Sequence, residues 1–206
     1  MASISTFYPY STAGGGIPKY AEFTANGTWT PPQALIDAGG RISYLVVGGG
    51  GSGPFQYDAS YTYMGGCGGE VKTGYTTLTN TTTLAITIGA GGAVAVSPAT
   101  VGNNGSDSTA AFATAGGTTI TASGGEGSSS EADNGQNWGA SGKTSVTGST
   151  QTGFASSAHP GFMGIYGRGG AAGQGSGTGA PLANTGSGSG AQQAAADGFV
   201  RITWYE

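Results

Sequence analysis

Glycine fills 44 of the 206 positions, and it comes in runs set between short apolar segments. The runs include Gly48–Gly53 (GGGGSG), Gly65–Gly69 (GGCGG) and Gly89–Gly92 (GAGG), with a long broken tract from Gly164 to Gly190. Glycine loses more conformational freedom on folding than any other residue. A chain that orders this many must recover the loss by packing backbone directly on backbone, or else leave them as flexible tethers. Charge speaks against wholesale disorder. Asp, Glu, Lys and Arg make up 8% of the chain, whereas intrinsically disordered segments combine high charge with few aromatics. Here aromatics reach 10%.

Between the runs lie strand-like pieces. Residues 41–47 (RISYLVV) form the strongest, ending in four glycines. Residues 83–89 (TLAITIG) place Leu84, Ile86 and Ile88 on one face, a period of two. Residues 198–206 (GFVRITWYE) divide Phe199, Arg201, Thr203 and Tyr205 from Val200, Ile202 and Trp204. Residues 69–78, 108–114 and 118–123 are further strand candidates, as is 21–30, where Asn26-Gly27 reads as a tight turn and Pro31-Pro32 as a stop. Helix is nearly absent, with one turn expected at 191–197. Many short strands separated by turn signals predict an all-β chain. We expect a jelly-roll-like β-sandwich over 21–206 with long glycine-rich loops and a glycine-rich insertion at about 164–190. Phe23, Trp29, Tyr44, Leu45, Ile86, Ile88, Phe112, Val200, Ile202 and Trp204 are its predicted core. In the 164–190 tract, glycine recurs every third residue from Gly164 to Gly173, the period of an extended helix with three residues per turn. Such polyglycine II-type helices would bond laterally through their main chains. Residues 1–20, with Phe7, Tyr8 and Tyr10 and no periodicity, read as an extended docking or assembly arm.

Several motifs fail on context. Gly48, Gly50 and Gly53 match GxGxxG after a strand, but Pro54 follows where a dinucleotide site needs a helix. Residues 139–144 (GASGKT) lack the glycine that a phosphate loop requires four residues before its Gly-Lys pair; Asn137 stands there. His159 is the sole histidine and sits in a turn-like His-Pro-Gly, so no histidine cluster exists. Cys67, the sole cysteine, excludes an intrachain disulfide and, lacking a nearby base, reads as a passive buried thiol. Glu126, Glu131 and Asp133 share one polar loop whose spacing fits no calcium-loop pattern. Neither a catalytic residue nor a cofactor or metal set is expected. Lys19, Arg41, Lys72, Lys143, Arg168 and Arg201 are scattered through a chain of net charge −4, which argues against nucleic acid as a partner. The first residues show no signal-peptide pattern.

The matching pieces at 23–32, 42–53, 65–71, 86–92, 103–112 and 198–206, in that order, resemble the glycine-rich domain of tailed-phage fibre and minor structural proteins. The long glycine tract is similar to the polyglycine-sandwich distal adhesins of contractile-tailed phages. The resemblance implies a non-enzymatic bacteriophage virion protein, a tail-fibre or tail-tip component or adhesin used in host attachment. A capsid head fibre or decoration protein is the alternative, and a glycan-processing enzyme the remaining one. It also implies a homo-oligomer, a trimer for fibre parts, joined to other virion proteins through the arm and exposed at the particle surface. Rigid aromatics in small-residue loops suit recognition surfaces. Phe55, Tyr57, Tyr61, Tyr63, Trp138, Phe162 and Tyr166 are therefore the candidate contacts with a host glycan or outer-membrane protein.

Overall fold

A computed structural model describes residues 16–55, 62–63, 65–96, 101–128, 142–146, 149–153, 173–174, 181–190 and 192–206. The strands, in chain order, are β1 (Pro18–Phe23), β2 (Gly27–Trp29), β3 (Arg41–Val47), β4 (Thr62–Tyr63), β5 (Val71–Thr77), β6 (Leu84–Thr87), β7 (Ser108–Ala110), β8 (Ile120–Ala122), β9 (Gly142–Val146), β10 (Ser149–Gly153), β11 (Gly173–Gln174) and β12 (Phe199–Tyr205). The helical elements among the described residues are a five-residue α1 (Gln33–Asp37) and a 3-10 turn at Phe112–Ala115. No helix is long and apolar enough to cross a membrane among these residues.

Two antiparallel four-stranded sheets, ordered β1-β12-β3-β5 and β2-β6-β7-β8, form an all-β sandwich. Alternation decides what lies between them. Ile42 and Val46 of β3, Leu84 and Ile86 of β6, and Val200, Ile202 and Trp204 of β12 are buried with Leu35, Leu78 and Phe112. Phe23, Trp29, Tyr44 and Ile88 pack on this cluster, as the sequence led us to expect. Trp29 and Trp204 meet across the sheets with centroids 5.3 Å apart, and Tyr44 meets Phe112 at 5.7 Å. Leu45 is a correction. It is buried, but with Val47, Val71 and Phe199 on the outer face of the first sheet, because neighbours in a strand point to opposite sides.

Three further expectations change. Asn26-Gly27 does not close a hairpin, for β1 pairs with β12 and β2 with β6. The chain crosses there between sheets, and Asn26 Oδ1 accepts from the Ile88 amide at 2.7 Å. Residues 108–114 split, β7 ending before the 3-10 turn. The helical turn expected at 191–197 is not formed by its described residues: 194–197 run extended, with the Ala195 and Ala196 amides bonded to neighbouring segments instead of to their own turn.

β3 does not end at its glycines so much as continue through them. The partners of the main-chain N–H groups in 48–52 repeat every third residue. Gly48 and Gly51 donate to Glu70 and Cys67, Gly49 and Ser52 to Ser106 and Asn103, and Gly50 to Ala196, at 2.8–2.9 Å. In return, Gly51 accepts from Ser189, Gly50 from Gly92, and Gly49 and Ser52 from Gly125 and Ser128. Segment 48–53 is thus surrounded by six others: 65–70, 123–128, 102–106, 89–92, 194–198 and 186–190. Taken in that order, each surrounding segment also bonds to the next. Cys67 donates to Glu126, Gly102 to Ser128, Ser106 to Ala90, Ala195 to Gly92, Gly186 to Asp197 and Gly66 to Ser189, and the last of these closes the ring.

Cβ atoms would prevent this packing. One built on Gly48, Gly49, Gly50 or Gly51 would lie closer than 3.0 Å to the backbone of Ser123, Ala90, Ser187 or Glu126. Where a rim amide has no neighbouring segment, a side chain takes its place. Asp107 and Asn104 accept from Gly124 and Gly127, Asp197 from Gly91, Glu70 from Ser123 and Ser108 Oγ from Gly89, all at 2.8–2.9 Å. Of these amides only that of Gly89 is buried, and its acceptor avoids the cost of about 1–3 kcal/mol for a buried amide left unpaired.

Candidate functional site at the loop end of the glycine bundle

Strand direction fixes what the bundle presents. β3 runs into 48–53, β6 into 89–92 and β8 into 123–128, all leading away from the sandwich. Segments 65–70, 102–106 and 194–198 return into β5, β7 and β12. The described residues that flank the reversals, 54–55 and 65, 93–96 and 101, and 190 with 192–194, therefore gather at one end, the tip. The opposite end, the base, holds Pro18 beside Tyr205. There the Ile17 amide donates to Glu206 O at 2.7 Å. Residues 17–20, which fall within the expected arm, thus pair with the end of the chain, and residues 1–15 lie outside the described part.

One main-chain bond ties two of the reversals together, and side chains brace the feet of single reversals. The Gln192 amide, at φ 59°, donates to Pro54 O at 3.2 Å, and Ser189 Oγ donates to Gln193 O at 2.6 Å. Asn103 Nδ2 donates to Ala93 O at 3.0 Å, bracing the base of the 93–101 reversal. Of the expected contact residues, Phe55 is half-buried where the central segment leaves the bundle. Tyr63 belongs to β4, which pairs with β11 through Tyr63 and Gly173. The structure thereby brings the 54–64 loop together with part of the 164–190 tract. Tyr57, Tyr61, Trp138, Phe162 and Tyr166 lie outside the described residues, as do Phe7, Tyr8, Tyr10, His159, Glu131 and Asp133.

Valines are what the sequence reading missed. Val94, Val96 and Val101 are exposed at the tip, Val96 to 70%, while Ala95 between the first two is buried. The signal was present in the alternation Ala-Val-Ala-Val directly after Gly92, where a loop of polar residues would be ordinary.

The amides of the GxGxxG match are already occupied: Gly48 donates to Glu70 O and Gly50 to Ala196 O. A phosphate needs such donors free. Cys67 is fully buried, and burial pushes its thiol up to about 12; the charge of Glu126 adds to the rise, while a backbone hydrogen bond at Glu126 opposes it. A thiol so held is no nucleophile at neutral pH. Among the described residues, no three acidic, cysteine or histidine side chains converge as metal ligands.

One family model covers nearly the whole chain, matching residues 22–205 and described as a glycine-rich domain. The chain belongs to that family. The match takes in the sandwich from the end of β1 onward and all seven bundle segments, so both are parts of one family domain. No curated protein matches the chain.

Proposed function

We propose that this glycine-rich domain protein is a non-enzymatic structural component of a bacteriophage particle, in the tail fibre or tail tip, that meets the host surface with its loop end. One observation carries the reading: the base, where Ile17 bonds to Glu206, and the tip lie at opposite ends of the same extended segments. Residue 16 lies at the base, so an assembly arm made of residues 1–15 would hold the particle there while the tip faces outward. The partners are other virion proteins at the base and a host glycan or outer-membrane protein at the tip. Several copies would let individually weak contacts hold together.

Exchange of residues 55–63 for an unrelated loop of equal length tests this. Adsorption to the host should fall or shift to other cells, while the circular dichroism and melting of the purified protein stay the same. Adsorption unaltered by exchange of this loop and of the 93–101 loop would overturn the attachment role. Labelled antibody on intact particles tests the location. Label on the tail supports the reading, and label on the shell favours the head-fibre or decoration alternative.

A further inference from the structure

We propose that the molecule is a force-bearing strut, strong when pulled from base to tip and weak when its base is pried open. Extended chain passes from one end to the other without a break: β3 continues through 48–53, 65–70 through β5, and 194–198 through β12. Each path is about 40 Å long at roughly 3.1–3.3 Å per residue. Hydrogen bonds between antiparallel strands lie across the strand axis. Tension along that axis loads them in shear, so that many must break together. The bundle extends this geometry beyond the sheet, because its main-chain bonds also join neighbouring extended segments side by side.

The base has the contrary geometry. Among the described strands β1 lies at the edge of its sheet and pairs with β12 alone, in register from Pro18↔Tyr205 to Phe23↔Val200. A pull that separates residue 17 from Glu206 meets these pairs one after another and peels β1 away. The direction of load therefore decides which bonds carry it. The inference borrows from the proposed function only the source of the load; the anisotropy belongs to the fold.

Single-molecule pulling on the full chain tests it with two handle arrangements. One attaches handles ahead of Met1 and at a Val94→Cys tip. The other attaches them ahead of Met1 and after Glu206. Cys67 does not compete for thiol coupling, being buried with its thiol held protonated. Forced unfolding reports the barrier along the chosen direction. At one loading rate, the base-to-tip arrangement should rupture at a severalfold higher force than the base-to-base arrangement. A Gln192→Cys tip handle in place of Val94→Cys should give the same result. Equal forces, or a lower base-to-tip force with either tip handle, would overturn the proposal. Because no host cell enters the measurement, failure of the attachment reading would leave this outcome unaffected.

Discussion

At Gly50 even the smallest addition is disruptive. A Cβ there would press on Ser187 O and the Gly188 amide, which are backbone atoms with no rotamer to yield. At Gly27 the corresponding Cβ would meet the Phe23 ring at an ordinary 3.4 Å. Gly50→Ala should therefore lose about 3 kcal/mol or more, toward the upper end for overpacked cores. Gly27→Ala should stay within about 1 kcal/mol of the parent, the scale of ordinary glycine-to-alanine backbone effects. Urea unfolding midpoints of the two variants check the contrast. Cys67 sets a pH limit. Its folded pKa lies above its ordinary value of 9.0, so the native state holds the proton more tightly than the unfolded chain does. The contribution is complete below pH 9 and falls away as pH rises toward about 12. Cys67→Ala should accordingly flatten the loss of stability between pH 9 and 11, as read from melting temperatures. A thiol reagent at pH 8 should label the parent only after unfolding.

At the scale of the element, β1 separates two truncations that look alike on paper. Removing residues 1–15 leaves every described strand intact, and the domain should melt as before while failing to enter particles. Removing residues 1–23 strips β12 of its edge partner and takes Phe23 from the core cluster. That variant should be lost to aggregation or melt many degrees lower. Soluble yield and thermal melts compare the two. Sequence made the strands at 41–47, 84–87 and 199–205 readable because alternation of apolar residues is a direct consequence of the pleat. It did not reveal the crossing at Asn26-Gly27, since a turn dipeptide carries no record of which strands it joins. Leu45 was taken into the wrong cluster because β3 is apolar on both faces, which erases the alternation that would assign a side. The site was readable only as loops. The glycine-run ends located them, but valines score as core residues by type, and only their place at the tip shows them to be surface.

For the whole molecule, the sequence raised packed glycine backbones in general and sought them in 164–190. The described structure centres them on 48–53, with 186–190 as one of the outer six. Periodicity could not have found that centre, because glycine has no side chain to alternate and its partners come from segments far apart in the chain. Joining a sandwich to a seven-segment bundle makes one long body with distinct ends. The attachment and pulling experiments test those ends separately.

The closed ring has a consequence for how the chain finds its way. Main-chain bonds alone cannot tell one glycine run from another, so beyond the rim acceptors such as Asp107 and Asp197 the bundle recognises its occupants little. Addressing must come from outside, from the flanking strands whose apolar residues admit a single register, such as Val47 opposite Val71 and Phe199. The tip loops carry none of that addressing. Beyond their braced feet, where Gln192 bonds to Pro54 and Asn103 to Ala93, they can therefore be rewritten with the blank lettering between them left untouched.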